Sequence, residues 1–276
     1  MSPAPSLRVL RHHLHLSYSQ VNTYLTCSLR YFFQYVKGYP PEHTSSALIL
    51  GSSIHAALAH YYEAFRMKGA AEPLDAVLAF YRETLSSELA IPRAPILYSN
   101  EATSPAELLA WGEQLLRAYL EDPGFCGMEV VATELPLSLP LTTPDGDLTE
   151  FHLVGAVDLL LRDQLGRLLA VDHKTAKNSP SQESIDQDLQ LSAYALLLRH
   201  NGYLKPDETL HCCYNVIRKL KTPKVERLLT LRTPADTRRF IRMAHAVLSG
   251  IAAEAFLPCA GWHCSGCPYQ QQCRNW

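Results

Sequence analysis

Leu153-Val154-Gly155-Ala156-Val157-Asp158-Leu159-Leu160-Leu161, followed by Leu168-Leu169-Ala170-Val171-Asp172-His173-Lys174-Thr175, is the stretch that decides the fold. Both segments are short apolar runs with branched residues, separated by the turn-like Asp163-Gln164-Leu165-Gly166, and read as the strands of a hairpin. Folding about that turn sets Asp158 opposite Asp172, or one residue off it. Facing residues of antiparallel strands have Cβ atoms roughly 5 Å apart, so the two carboxylates share one small volume. The period of two puts Asp172 and Lys174 on one face of the second strand, Val171 and His173 on the other. Two acids and a lysine among apolar neighbours are costly unless something sits between them. A divalent cation meets that need.

Beyond Lys174, the polar loop Ala176 to Ser184 leads to a helix containing Asp186, Gln190, Leu191, Tyr194, Leu197 and Leu198. Gln190 and Tyr194, four apart, lie one above the other on one face. Such pairs usually rim a packed face, but this one directly follows the acidic strand. Leu210 to Ile217 reads as a strand continuing as a hairpin through Pro223 to Leu231. Thr233-Pro234 starts a helix with Phe240, Met243, Val247 and Ile251 inward. Upstream, Glu129 to Leu141 alternates as a strand, with a turn expected at Thr143-Pro144-Asp145-Gly146. Glu134 in that strand either faces the acidic site or is a surface acid.

Residues 1–16 are expected to form a flexible tail, with His12, His13 and His15 in it. Ser17 with Gln20 has the form of a helix start, and the helix carries Val21, Tyr24, Leu25 and Cys27. Ile54, Leu58, Tyr61, Tyr62 and Phe65 mark a one-sided helix with Ser52 or Ser53 as its cap. His55 lies beside that stripe and, taken alone, reads as a hydrogen-bonded core histidine. Two further amphipathic helices, Leu74 to Leu89 and one after Ser104-Pro105, flank an exposed loop from Ile91 to Thr103.

With 276 residues, 47% apolar and 19% charged, the chain can bury a sizeable core as an ordinary globular protein. Met1 to Leu16 has no continuous apolar run, so neither a signal peptide nor a membrane span is expected, and the cytoplasm is the expected location. There, eight cysteines suit metal ligation or burial better than disulfides. The net charge of −2 decides nothing about nucleic acid, because distribution matters more. Tyr214 to Arg242 holds Arg218, Lys219, Lys221, Lys224, Arg227, Arg232, Arg238, Arg239 and Arg242 against Glu226 and Asp236, nine minus two, an excess of seven. A solvated face explains such a run as readily as a phosphate groove. Near the end, Cys264 and Cys267 form a Cys-x-x-Cys pair, with Cys273 after five more residues. This density reads as a metal site, for an iron–sulfur cluster or zinc. The fourth ligand is either Cys259, closing a local zinc-type knuckle, or Cys27, closing a very long loop.

These pieces together resemble the PD-(D/E)XK nucleases of the RecB-like group, which includes the nuclease domains of RecB and AddB and CRISPR-associated single-domain exonucleases. Helical Cys27 precedes Gly-x-x-x-His at Gly51 to His55, then Gly-x-x-Asp at Gly155 to Asp158, Asp-x-Lys at Asp172 to Lys174 and Gln-x-x-x-Tyr at Gln190 to Tyr194. Single motifs of this kind are weak, whereas the ordered set from Ser17 to Cys273 is specific. Leu159 stands where many relatives have Arg, and His173 where an aromatic is common.

The resemblance implies an α/β restriction-endonuclease-like fold, a mixed central sheet flanked by helices, as one nuclease domain over 17–276. Within it lie a helical region at about 53–122, a catalytic core at about 127–231 and a cluster-binding segment at 259–276 closing on Cys27. It implies Mg²⁺ or Mn²⁺ on His55, Asp158, Asp172 and the His173 backbone carbonyl. Lys174 then serves developing charge or the attacking water, and Gln190 and Tyr194 orient phosphate or ligands. A [4Fe–4S] cluster on Cys27, Cys264, Cys267 and Cys273 follows, with Cys259 a bystander and zinc the alternative. The expected activity is DNA phosphodiester hydrolysis, as an exonuclease on ends or single strands, in repair, recombination, defence or phage DNA processing. Arg218, Lys219, Lys221 and Lys224 are the expected DNA contacts, with a helicase, CRISPR or recombination protein as partner and no membrane. An inert DNA-binding or assembly module of the same fold, or a zinc-knuckle protein, is the alternative.

Overall fold

In a computed structural model, the alternating segments join into one six-stranded mixed sheet with helices packed on both faces, the α/β restriction-endonuclease-like architecture. The structure describes residues 6–12, 14–91, 94–98, 102–142 and 148–276. The chain begins with α1 (Leu7–Leu10), β1 (His15–Leu16), α2 (Tyr18–Thr26) and α3 (Ser28–Tyr31), which continues as a π-helical turn over Phe32–Val36. Ser17 caps α2: its hydroxyl accepts from the Gln20 amide at 3.2 Å, and the Gln20 side chain accepts from the Ser17 amide at 2.7 Å. Next come β2 (Thr44–Ser45), α4 (Ser46–Lys68), α5 (Leu74–Ala90), β3 (Ile96–Leu97) and α6 (Pro105–Glu121). β4 (Glu129–Thr142), β5 (Leu148–Arg162) and β6 (Leu168–Ala176) make an antiparallel meander. α7 (Gln182–Asp186) and α8 (Leu189–His200) then cross over to β7 (Leu210–Arg218), and β8 (Lys224–Arg232) returns as a hairpin. α9 (Pro234–Ala252), a 3-10 turn at Trp262–Gly266 and α10 (Gln270–Arg274) follow.

Connection length sets strand direction. The turn after β5 is tight, with the Asp163 carboxylate accepting from the Leu165 and Arg167 amides at 2.9 Å each, so β6 runs antiparallel. The helical crossover makes β7 parallel to β6. Register then places the acids. Leu159 pairs with Val171 across β5–β6, and one further step sets Asp158 opposite Asp172. On the other side Thr133 pairs with Leu159 and Leu135 with Val157, which sets Glu134 opposite Asp158.

Alternation divides the core in two. Leu159, Leu161 and Val171 pack with Ile54, Leu58, Leu78 and Leu115 of α4–α6. Leu160 and Ala170 pack with Leu191, Leu197 and Phe240 of α8 and α9. Each fully buried leucine contributes about 1.5–3 kcal/mol, so both layers hold the sheet. A Cβ on Gly155 would lie 2.9 Å from Leu197 Cδ1, and its absence lets α8 sit close against β5. A third cluster, Leu29, Tyr31, Phe33, Phe256 and Tyr269, ties the first helices to the C-terminal segment.

Four local expectations are corrected. Within the expected tail, Leu7–Leu10 is helical and Leu16, 1% exposed, pairs with Leu153, because burial of that leucine adds a short strand to β5. Within the expected loop, Ile96–Leu97 pairs with Thr44–Ser45. α4 is capped by Ser45, whose hydroxyl accepts from the Ala47 amide at 3.2 Å, while Ser52 and Ser53 donate back to the Ile49 carbonyl. The expected helix around Asp186 breaks in two, because Asp188 starts a new one. The turn expected at Thr143-Pro144-Asp145-Gly146, and His13, lie outside the described residues. Among the described residues, no helix is long and apolar enough to cross a membrane.

Candidate active site

Three carboxylates stand at one level across β4, β5 and β6: Glu134, Asp158 and Asp172. α4 brings His55 over them. Gly51 packs one turn earlier against Thr175 of β6, where a Cβ would meet Oγ1 at 3.7 Å, and His55 Nδ1 then lies 3.3 Å from Asp158 Oδ2. α8 supplies the other wall. Asp188 caps it by accepting from the Gln190 and Leu191 amides at 2.7 and 3.3 Å, which sets Gln190 in the first turn and Tyr194 one turn on.

The side chains form one network. Asp158 Oδ2 accepts from the His173 amide at 2.9 Å, and Oδ1 accepts from the Tyr194 hydroxyl at 3.3 Å. Asp172, fully buried, accepts on Oδ1 from Gln190 Nε2 at 2.6 Å and from the same hydroxyl at 3.1 Å. Its Oδ2 lies 2.7 Å from Lys174 Nζ, which also donates to Gln190 Oε1 at 2.9 Å. Burial pushes the Asp172 carboxyl upward against the opposing charge of Lys174, and Asp158 adds to the push. Lys174 stays cationic: desolvation lowers it, but the attraction of Asp172 outweighs this and raises it. Glu134 shows an exposed edge, yet its carboxyl is crowded by protein, and this desolvation, followed by the charges of Asp158 and Asp172, pushes it up to about 7.

All six side chains expected in one site therefore meet: His55, Asp158, Asp172, Lys174, Gln190 and Tyr194. Glu134, left open by the sequence, joins them. His55, Glu134 and Asp158 each place one ligand atom within 4.8 Å of the others. Glu134 holds a left-handed backbone, φ +42°, which breaks the alternation a strand reading depends on. Its pairing opposite Asp158 was the usable signal. The His173 imidazole turns to the opposite face, stacked on Tyr62 with its Nδ1 3.2 Å from Asn215 Nδ2. Burial holds it well below the usual histidine range, so its side chain is a neutral packing group.

The cysteines meet elsewhere. Cys27, Cys259, Cys264, Cys267 and Cys273 line a single cavity of about 370 Å³ between α2–α3 and the C-terminal segment. Burial raises the Cys273 thiol, and the neighbouring Cys27, Cys267 and Cys264 raise it further. The Cys259 carbonyl lies 3.8 Å from Cys264 Sγ and 2.8 Å from His263 Nε2.

The basic stretch does not form one face. Arg232, 1% exposed, is buried and donates to the Ile185, Asp188 and Leu231 carbonyls. Its guanidinium adds a second donor to carbonyls between α7 and α8, that of Ile185 already accepting from the Asp188 amide at 3.1 Å and that of Asp188 from the Ser192 hydroxyl at 3.2 Å. Arg227 is paired with Asp122, and Arg218 with Glu226 at 2.7 Å. Lys221 and Lys224 are exposed at the β7–β8 turn, with Lys219 half-buried beside them.

The chain matches the family model of the PD-(D/E)XK nuclease superfamily over residues 15–274. Among curated proteins none matches it in sequence. A crystal structure of a candidate exonuclease from Eubacterium rectale superposes with a TM-score of 0.53, at 12% identity over 91% of this chain and 86% of that one. SSO0001 aligns over 93% of this chain and 95% of its own at 16% identity, with a TM-score of only 0.38.

Proposed function

The chain belongs to the PD-(D/E)XK nuclease superfamily, and from that premise we propose that it is a metal-dependent DNA exonuclease of the RecB-like, iron–sulfur-bearing group. The observation that carries this reading is the convergence of His55, Glu134 and Asp158 on one point beside the Asp172–Lys174 pair. The donor set fits a divalent cation: hard carboxylate oxygens suit Mg²⁺, and an imidazole admits Mn²⁺. Asp172 Oδ2 is buried and engaged by Lys174 at 2.7 Å, so Asp172 stands beside the three gathered donors. When bound, the cation stabilises charge on the phosphoryl oxygens and lowers the pKa of a water.

The remaining work falls to the chain. Lys174, aimed by Asp172 and Gln190, donates to the negative charge that develops on the phosphate or orients the attacking water. The neutral Tyr194 hydroxyl lies within hydrogen-bond reach of both aspartates and shares its one proton between them. Gln190 links Lys174 to Asp172, so the cation and the acid move as one unit. The His173 amide pins Asp158 in place.

Cys27, Cys264, Cys267 and Cys273 suit a [4Fe–4S] cluster better than bare zinc. Tetrahedral zinc draws its sulfurs to about 3.8 Å of one another, given Zn–S bonds near 2.3 Å. Among the described residues no three of these sulfurs lie within 4.8 Å of one another, and the cavity they line, about 370 Å³, is larger than a single ion fills. The RecB-like reading brings a helicase, recombination or CRISPR complex as the kind of partner, in the cytoplasm.

The deciding experiment titrates Mg²⁺ and Mn²⁺ over end-labelled single- and double-stranded DNA, with wild type, Asp158→Ala and Lys174→Ala. Wild type is expected to shorten the labelled strand only with metal, and both variants to lose the activity. Equal activity in all three proteins identifies a contaminant and ends the nuclease reading.

A further inference from the structure

The active site opens on two flanks. One, above α4, carries Glu63, Glu72 and Glu134, with Glu63 paired to Arg66 and Glu72 to Lys68 and His60. The other is a groove of about 790 Å³ that starts at Lys174 and Gln190 and ends at Trp262. Its lining holds neither aspartate nor glutamate. Its floor is Ser19, Asn22, Thr23 and Thr26, spaced i, i+3, i+4, i+7, which makes a polar stripe along one face of α2. The opposite side of α2 is the apolar one that packs through Val21 and Tyr24, so the stripe faces the groove, with the Thr23 hydroxyl donating to the Ser19 carbonyl at 2.8 Å.

Arg30 lines both this groove and the cysteine cavity, where its charge acts on Cys267, and its buried Nε has no hydrogen-bond partner among the described residues. Its guanidinium is a fork-shaped cation at the edge of the groove, suited to an anion. At the far end, Trp262 is 90% exposed on a braced turn, where Ser265 Oγ donates to its carbonyl at 3.0 Å. A large indole held in water by rigid backbone is a platform for an aromatic ligand. From Ser19 to Thr26 the helix advances roughly 10 Å, space for about three nucleotides at a stacked rise of about 3.4 Å.

We infer that this groove seats a single strand of DNA running from the catalytic lysine over α2, with Arg30 taking a backbone phosphate and Trp262 stacking on an unpaired base. The inference rests on the nuclease reading and adds the direction in which the strand leaves the site. A polyanion is favoured on the flank that holds Arg30 and Lys174 and, among the described residues, no acid in its lining. Stacking tolerates any base, so the groove selects unpaired strands and not sequence.

The test measures binding of a labelled single-stranded oligonucleotide and of its duplex by fluorescence anisotropy, without divalent cations, to wild type, Trp262→Ala, Trp262→Phe and Asn22→Glu. Both altered side chains are exposed, so the fold is preserved. Trp262→Ala is expected to bind the single strand on the order of tenfold more weakly, with Trp262→Phe restoring most of the loss. Asn22→Glu is expected to weaken binding more at low salt than at high salt. Single-strand binding by both Trp262→Ala and Asn22→Glu that matches wild type overturns the path, as does a wild type that binds no single strand. A protein that fails this test yet cleaves DNA with Mg²⁺ leaves the nuclease reading intact. Trp262-dependent binding in a protein that never cleaves supports the path and ends the nuclease reading instead.

Discussion

Lys174 illustrates how one residue's surroundings separate a functional cation from a surface one. A free surface lysine gains little from a lone ion pair. Lys174 instead meets Asp172 at 2.7 Å and Gln190 at 2.9 Å, and lies over the Tyr214 ring, 5.3 Å from its centroid. Removing a donor of this kind from a phosphate site costs roughly 10²-fold or more in kcat. Lys174→Met is therefore expected to lose that much in single-turnover cleavage while Mn²⁺ binding, followed calorimetrically, persists. Glu134 makes the complementary case. Its φ of +42° costs an ordinary residue about 1–2 kcal/mol, and a glycine adopts it freely. Glu134→Gly is thus expected to match wild type in urea denaturation while its affinity for Mn²⁺ falls. A loss of stability without a loss of affinity would assign Glu134 to the fold alone. Asp158, Asp172 and Lys174 were legible in the sequence because a tight turn and a period of two fix which residues face each other. The place of Glu134 was not, because its left-handed backbone interrupts that period.

Among the elements, those with several turns or several alternations were legible, and those without were not. α2 and α6 carry their caps in the sequence and α5 its stripe, whereas β1, β2 and β3 are two residues each and offer no period to read. Arg232 escaped for another reason: a basic run reveals charge but not which side of a strand is buried. Packing between α5 and α6 turns on Gly112, where a Cβ would overlap the buried Tyr81 phenol. Alanine gains up to about 1 kcal/mol in helix propensity over glycine, but overpacking costs about 1–3 kcal/mol. Gly112→Ala is accordingly expected to lower the midpoint of urea unfolding. β7 adds a pH signature. Burial pushes the Cys212 and Cys213 thiols up to about 12, above the ordinary thiol value near 8.5 that the unfolded chain has. The unfolded chain therefore loses these protons first, so the contribution is whole below about pH 8.5 and declines as pH rises toward the folded value. Two thiols give a slope of up to about 2.7 kcal/mol per pH unit, which Cys212→Ala is expected to halve in urea titrations between about pH 9 and pH 11.

At the scale of the whole molecule, the chain closes on itself. The Tyr24 hydroxyl donates to the Ala255 carbonyl at 2.8 Å, the Leu257 amide donates to Ser28 Oγ at 2.8 Å, and the Glu42 amide donates to the Pro268 carbonyl at 2.8 Å. These contacts set Cys27 beside the C-terminal cysteines before any cofactor binds. A ligated cluster would join positions 27 and 264, 264 minus 27, or 237, apart in the chain. The entropy that such a cross-link removes from the unfolded chain grows only as the logarithm of loop length, reaching about 4.7 kcal/mol for 100 residues and somewhat more here. The groove floor on α2 and the Trp262 turn flank this same cavity, so the clasp also fixes the walls of the proposed strand path. Cys27→Ala is expected to abolish the brown colour of anaerobically purified protein, to lower the thermal midpoint by several degrees and to weaken single-strand binding together with it. Cys259→Ala is expected to keep all three, since the proposed cluster takes Cys27 as its fourth ligand. The reverse pattern, with colour lost on Cys259→Ala and kept on Cys27→Ala, would make the clasp a local knuckle and leave the N-terminal helices held by packing alone.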